Sequence, residues 1–161
     1  MEKAYVRNAK KNEFNIVNRF ANNLHQMHVN FDREFYVDGA NVLTKEDFEK
    51  FLNEKNHFFV LIYVKEKAVG MAHFMIDNFI PEGIYPYKRL HVFDLIIDKK
   101  YRKNGLGKKM FNYFEKIIKE NDIEIMTLNV DARNVEAIEF YKKQGMYESL
   151  VTMMKKYKKE E

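Results

Sequence analysis

Two glycines and a cluster of cations make one short segment of the chain suited to chemistry. Residues 98–107 contain Gly105 and Gly107, and six lysines or arginines lie between Lys99 and Lys109. The start of a helix leaves backbone N–H groups without partners, and glycines let a ligand approach them closely. Basic side chains add the countercharge that a phosphate needs. This segment therefore predicts a pyrophosphate site.

The elements on either side of this segment follow from the spacing of apolar residues. Residues 92–97 are apolar except for Asp94, which predicts a buried strand. After Gly107, apolar residues recur at helical spacing until about Asn121, which predicts an amphipathic helix. The turn would then lie between the end of a strand and the start of a helix.

The rest of the chain predicts strands and helices in mixed order. We expect strands at residues 4–7, 57–65, 69–77 and 124–130, with a last strand pair or bent strand at 146–155. We expect helices from about Glu13, at 44–53 with Thr44 as N-cap, and at 134–144 between Asn134 and Gly145. Residues 30–43 and 79–88 are expected to be loops. This order predicts an α/β (α+β) fold, in which helices flank a mixed central sheet that is mostly antiparallel.

Composition restricts the classes of function. The chain has 161 residues and no cysteine, which excludes disulfides, thiolate metal sites and a cysteine nucleophile. The net charge of +4 arises within residues 98–161, which carry 15 basic and 11 acidic side chains. That excess fits an anion site or a solvated lysine-rich surface. Nucleic-acid binding is less favoured, because no nucleic-acid motif accompanies the charge.

Membrane and metal binding are not expected. The longest apolar run, residues 58–64, is too short to span a bilayer, and the N-terminus lacks an apolar signal region, so we expect a cytoplasmic protein. His25 and His28 are spaced for one helix face, but no third ligand is apparent. We therefore expect no metal.

Two motifs together resemble those of the GNAT family of N-acetyltransferases. Residues 102–107, Arg-Lys-Asn-Gly-Leu-Gly, are similar to the family's Arg/Gln-x-x-Gly-x-Gly/Ala signature. Residues 134–146, Asn-Val-Glu-Ala-Ile-Glu-Phe-Tyr-Lys-Lys-Gln-Gly-Met, are similar to its second signature, Asn-x-x-Ala-x-x-Phe-Tyr-x-x-x-Gly-Phe, with Met146 in place of Phe. The motifs occur in the family's order. The resemblance implies that residues 1–161 form one GNAT domain.

The resemblance also implies a reaction and a set of residues. The family transfers the acetyl group of acetyl-CoA, a co-substrate, to a primary amine, and Tyr141 matches the general acid that protonates the leaving thiolate. Direct attack in a ternary complex is favoured, because the chain has no cysteine and Ser149 is its one serine. The residues that match coenzyme-binding positions are Leu95, Ile96, Ile97, Arg102, Lys103, Asn104, Gly105, Leu106, Gly107, Lys108 and Asn134.

The general base departs from the family pattern. Polyamine acetyltransferases, which the chain resembles in layout, have a glutamate where this sequence has Phe93. His91 lies two residues earlier, on the same face of a regular strand, and is our candidate base, directly or through water. Ordered water alone is an equal alternative. Asp94 is expected on the opposite face, in a structural role.

The acceptor cannot be identified from the sequence. The resemblance places it against residues 30–43 and 79–88, where Tyr36, Tyr85 and Tyr87 could surround a cationic amine of a small molecule or a protein. A homodimer is left open. The alternative function is a coenzyme-A-binding protein of this fold that senses or scaffolds with little catalysis.

Overall fold

A five-stranded sheet forms the centre of the computed structural model, which describes residues 3–157. Its strands lie side by side in chain order: β1 (Ala4–Asn8), β2 (His57–Val64), β3 (Lys67–Phe79), β4 (Tyr87–Ile97) and β5 (Ile125–Leu128). The first three junctions are antiparallel, and β4 and β5 are parallel. This confirms the predicted α/β fold with a mixed, mostly antiparallel sheet.

Helices cover both faces of the sheet, and β2 shows why. Phe59 and Leu61 of β2 pack towards α1 (Phe14–Phe31) and α2 (Lys45–Asn53). The alternate residues Val60 and Ile62 pack towards α3 (Leu106–Glu120) and α4 (Val135–Lys143). A strand with helices on both sides needs apolar residues on both faces, as this one has. Short 3-10 turns at Lys11–Glu13 and Lys99–Tyr101 precede α1 and the glycine turn.

The helix boundaries agree with the local signals in the sequence. The Thr44 hydroxyl accepts the backbone N–H of Asp47 at 3.1 Å, as an N-cap does. The Asn134 side chain accepts the N–H of Ala137 at 3.3 Å. Gly145 has φ of +86°, the left-handed conformation that ends many helices. Within residues 3–157, every helix is too short or too polar to cross a membrane.

The predicted last strand is wrong. Residues 146–157 form no strand, and Tyr147, Leu150 and Met153 are each more than 80% exposed. The apolar pattern is suited to a strand, but a strand requires a neighbour for its backbone groups. The predicted loop at 79–88 is also shorter than expected, because β3 and β4 extend until only residues 80–86 connect them.

A β-bulge in β4 changes which side chains share a face. His73 of β3 pairs with Asp94, whereas the next residue, Phe74, pairs with Val92, so Phe93 is an extra residue. A bulge of this kind places two consecutive side chains on the same side of the sheet. Both Phe93 and Asp94 accordingly contact His73 on the α1 side. The prediction that Asp94 faces the opposite side from Phe93 is therefore wrong.

Candidate active site

A cavity of about 380 Å³ opens where β4 and β5 diverge. The two strands pair only from Arg89–Val92 to Ile125–Leu128, whereas β4 continues to Ile97 beside β3. The second edge of β4 beyond Val92 is therefore free of β5. An extended ligand could pair with these backbone groups in the way that an added strand does.

Most of the predicted coenzyme-binding residues line this cavity. Ten of the eleven do so: Leu95, Ile96, Ile97, Arg102, Lys103, Gly105, Leu106, Gly107, Lys108 and Asn134. Asn104 does not line it, because its side-chain amide donates to the backbone carbonyls of Tyr101 (3.4 Å) and Arg102 (3.2 Å). Asn104 therefore stabilises the conformation of the turn through these two hydrogen bonds. The fold brings the strand edge, the glycine turn and the start of α4 to one place.

The glycines of the turn are required for two different reasons. Gly105 has φ of +75° directly before α3, and a Cβ built there would meet nothing within 4 Å. Its requirement is the left-handed backbone alone. Gly107 lies in the first turn of α3, and its Cβ would come within 3.0 Å of the Phe140 ring. Gly107 is thus required for the close approach of α3 and α4.

The Arg102 side chain links the glycine turn to β4 and α1 by hydrogen bonds. Its Nε donates to the carbonyl of Ile97 at 2.9 Å, and an Nη donates to the sulfur of Met27 in α1 at 3.3 Å. Lys103 and Lys108 also line the cavity, so three cations surround the start of α3. The first backbone N–H groups of a helix lack helical acceptors and favour anions. The arrangement suits a phosphate group.

Tyr141 also lines the cavity. It projects from α4, and its ring lies 5.9 Å from that of Phe111. Burial raises the pKa of the Tyr141 hydroxyl to about 12. The group is therefore protonated throughout the neutral range and can donate a proton.

His91, the predicted base, does not line the cavity. It lies on the α1 face of β4, upstream of the bulge, with its ring 4.8 Å from that of Phe93 and nearly perpendicular to it. Its Nδ1 lies 2.8 Å from the hydroxyl oxygen of Thr127 in β5. Burial, assisted by the charge of Arg89, lowers the pKa of His91. Phe93, which does line the cavity, lies between His91 and the cavity.

A group of ion pairs beside the cavity, which joins Asp131, Arg133 and Asp32, was not predicted from the sequence. Asp131, a lining residue, accepts two charge-assisted bonds from Arg133 (2.7 and 2.8 Å), which lower the pKa of its carboxyl to about 2. Arg133 also donates to the carbonyl of Phe31 and to Asp32 at the end of α1. About a hundred residues separate these partners, so no local pattern could have indicated the contact.

Of the two predicted acceptor segments, residues 30–43 follow α1 and residues 79–88 contain the connection between β3 and β4. Tyr36 stacks on His28, a lining residue, with ring centroids 5.4 Å apart. Tyr85 is 92% exposed, and Tyr87 packs against Phe79. The Asp32 carboxylate, in the first of these segments, forms ion pairs with Arg133 and Lys156. Within the described residues, no three His, Asp or Glu side chains are placed to hold a metal ion.

The amino-acid sequence is similar to those of known proteins. The sequence model described as the acetyltransferase (GNAT) family matches residues 23–146. The probable N-acetyltransferase san of Drosophila melanogaster is 31% identical over 132 residues, which are 81% of this chain. The chain spans only 61% of that relative's length.

Solved structures show the same fold. The tetramutant of the BH1408 protein from Bacillus halodurans superimposes with a TM-score of 0.87 at 20% identity, over 95% of this chain and 99% of that one. An aminoglycoside N-acetyltransferase in complex with CoA gives a TM-score of 0.76 at 11% identity, over 98% and 96% of the two chains. At these identities the likeness concerns the fold alone.

Proposed function

The chain belongs to the acetyltransferase (GNAT) family, and from this premise we propose that it transfers the acetyl group of acetyl-CoA to a primary amine. One observation supports this most strongly. A free strand edge, a cationic glycine turn at a helix start and a protonated tyrosine all line the same cavity. We further propose that residues 1–161 act as one domain.

The turn and the strand would share the binding of acetyl-CoA. The backbone N–H groups at the start of α3, with Arg102, Lys103 and Lys108, suit the pyrophosphate. The free edge of β4 at Leu95, Ile96 and Ile97 suits the pantetheine arm, which carries amide groups that can pair with a strand. A backbone N–H on this edge would also bind the oxyanion that develops when the thioester carbonyl is attacked.

Tyr141 would donate the proton that the leaving sulfur needs. The neutral amine attacks the thioester carbon directly, the C–N bond forms and the C–S bond breaks, so no acyl-enzyme is involved. A hydroxyl with a pKa of about 12 keeps its proton until the thiolate develops. For the base that first deprotonates the amine, His91 and ordered water remain the candidates from the sequence.

A turnover assay tests the reaction. Free thiol released from acetyl-CoA would be followed over a panel of primary amines: an amino sugar, an aminoglycoside, a polyamine and peptides with free N-termini. We expect at least one amine to accelerate release, and Tyr141→Phe to lower kcat by about 10²-fold or more with little change in coenzyme affinity. Tyr5→Phe is the matched control, because Tyr5 of β1 stacks on Tyr63 of β2 and does not line the cavity.

The alternative function gives a different result in the same assay. A coenzyme-A-binding protein that senses or scaffolds would bind acetyl-CoA in calorimetry but release no thiol with any amine. The protonated Tyr141 in the cavity favours the enzyme, because binding alone does not need a proton donor.

A homodimer is also proposed, on separate grounds. Apolar side chains of Tyr147, Leu150 and Met153 are exposed along residues 146–157, and β5 is an edge strand of the described sheet. A second copy could cover these side chains or pair with this edge, as exposed apolar patches and open edges favour association. Light scattering on the purified protein distinguishes a dimer of about twice 19.5 kDa from a monomer.

A further inference from the structure

Four titratable side chains form a continuous row across the α1 face of the sheet. Glu54, which ends α2, lies 3.4 Å from Nε2 of His57 in β2. Nδ1 of His57 lies 3.0 Å from Nε2 of His73 in β3. Nδ1 of His73 then lies 3.7 Å from the carboxylate of Asp94 in β4. The row begins at the surface and ends at the bulge.

Aromatic rings enclose the two histidines. His73 is 8% exposed and stacks on Phe59 with centroids 4.1 Å apart. Phe51 stacks on the other imidazole, that of His57, with ring centroids 4.7 Å apart. Phe93, the extra residue of the bulge, covers both imidazoles at 5.6 and 4.8 Å. The pair therefore has little access to solvent except along the row itself.

The hydrogen bond between the imidazoles limits the pair to one extra proton. A nitrogen-to-nitrogen distance of 3.0 Å requires one donor and one acceptor, because two facing N–H groups would repel. Burial, assisted by the charge of His73, lowers the pKa of His57, and Glu54 opposes this shift. A single positive charge on the pair would lie between the carboxylates of Glu54 and Asp94.

The other end of the row lies next to residues that line the cavity. Phe93 and Leu95, the neighbours of Asp94 in β4, both line it. Burial lowers the pKa of His28, a half-buried lining residue of α1; the charges of Asp131 and then Asp94 oppose this fall, and His25 adds to it. Asp131 is also paired with Arg133, which balances its charge. Asp94 is thus the carboxylate that lies between the histidine row and residues that line the cavity.

We propose that Asp94 accepts the proton that the acceptor amine loses, and that His73 and His57 pass it on to Glu54 and solvent. This inference rests on the proposed acetyl transfer. The ammonium form of the acceptor gives one proton to the Asp94 carboxylate, directly or through one water. A side-chain movement that shortens the 3.7 Å separation to hydrogen-bond distance lets Asp94 pass the proton to His73 Nδ1. The His73 Nε2 proton then moves to His57 Nδ1, and the His57 Nε2 proton leaves.

The remaining proton transfers balance without a further reagent. The neutral amine forms the C–N bond, and the C–S bond breaks with its electron pair on sulfur. Tyr141 gives its proton to that sulfur, and the second proton of the attacking nitrogen returns to Tyr141. The net products are the amide, free coenzyme A and one proton, which leaves by the row. Asp94 is then a catalytic residue, and the two histidines act through it.

The test is the pH dependence of kcat/KM for the amine that the turnover panel identifies. We expect Asp94→Asn to lower kcat/KM by 10²- to 10⁴-fold at pH 7, the usual contribution of a general base, with unchanged affinity for acetyl-CoA. Asp122→Asn is the matched control, because Asp122 lies in an exposed turn after α3, with φ of +51° that asparagine tolerates.

The relay itself needs variants that leave Asp94 in place. We expect His73→Gln and His57→Gln to remove the acidic limb of the pH profile that reports the pair, and to lower kcat roughly tenfold while KM for the amine stays near that of the parent. Glu54→Gln should shift this limb to lower pH, because a neighbouring carboxylate favours the charged pair. Glu46→Gln, at an exposed position of α2, is its control.

The outcomes separate this inference from the proposed function. Turnover by the parent with an unchanged profile in Asp94→Asn, or loss of the acidic limb in His91→Gln instead, would overturn the relay and leave the acetyl transfer intact. Coenzyme binding without turnover of any amine would overturn both. Proton NMR of the imidazole rings gives a second readout: the pair should titrate with one proton, and two independent titrations would contradict the row.

Discussion

We expect Gly105→Ala to weaken binding of coenzyme A, and the structure fixes both the size and the origin of the effect. Gly105 has φ of +75°, and an added Cβ would meet nothing within 4 Å. The substitution therefore costs only the strain of a left-handed backbone, roughly 1–2 kcal/mol for an L-residue. This strain lowers stability if the turn keeps its shape. If the free protein relaxes the turn, the strain reappears on binding.

A second glycine provides the matched control. Gly39, in the loop after α1, has φ of +70° and the same empty surroundings. Gly39→Ala should therefore lose the same 1–2 kcal/mol entirely as stability, a fall in Tm of about 2–8 °C for a chain of this size. In Gly105→Ala, the same energy is divided between stability and binding. Where most of it falls on binding, Kd for coenzyme A rises about 5- to 30-fold.

Calorimetric titration with coenzyme A and thermal melting of the two variants measure both parts. The reasoning requires unchanged Kd in Gly39→Ala and a raised Kd in Gly105→Ala, with a smaller fall in Tm in the second. Equal values of Kd for both variants, within twofold of the parent, combined with a smaller fall in Tm in Gly105→Ala, would refute the assignment of the coenzyme phosphates to this turn, because strain that is relaxed in the free protein would then not reappear on binding.

Two further substitutions test the contacts of the fold. Gly107→Ala should lower kcat and cost roughly 1 kcal/mol of stability, because its Cβ would lie 3.0 Å from the ring of Phe140, next to Tyr141; unchanged melting and kinetics would show that the ring gives way freely. Glu13→Gln should lower the free energy of unfolding by about 2–3 kcal/mol at pH 7, since bonds from Arg7 lower the Glu13 pKa from 4.5 to about 2. This difference between parent and variant is full above pH 4.5 and should vanish towards pH 2 in urea titrations; a difference that is constant with pH would contradict it.

Local signals predicted the parts of this protein that depend on neighbouring residues. The Thr44 and Asn134 caps and the Gly145 stop are short-range interactions, and each lies where the sequence placed it. The glycine turn likewise follows from a strand, a basic loop and a helix that are consecutive in the chain. Only the second motif could predict that Tyr141 belongs to the same site, because Tyr141 lies on α4, which is separate in the chain from the strand and the turn.

Contacts between distant residues were beyond the sequence patterns. The hydrogen bonds from Arg133 to the end of α1 join segments about a hundred residues apart. The apolar alternation of residues 146–155 predicted a strand, but pattern alone does not show whether a neighbouring edge is available to it. The same limit applies to the predicted acceptor segments, whose tyrosines are exposed or packed on neighbouring aromatic rings.

The bulge in β4 is the most consequential feature that periodicity missed, and a physical argument could have indicated it. In a regular strand, Asp94 would share a face with Val92 and point among the apolar residues under α3, where Phe74 and Phe114 are fully buried. An unpaired carboxylate there costs several kcal/mol. A bulge sacrifices about one ladder hydrogen bond, a net loss of roughly 1 kcal/mol.

The bulge costs less free energy than a buried, unpaired carboxylate, so β4 adopts the bulged register. One extra residue turns Asp94 towards His73, while Leu95 and Ile97 move to the α3 face and Ile96 to the α1 face. Apolar residues occupy both faces of β4, so hydrophobicity permits either arrangement, and the single carboxylate selects between them. The same shift that removes a buried charge from the α3 core thus places that carboxylate beside the cavity and at the end of the histidine row.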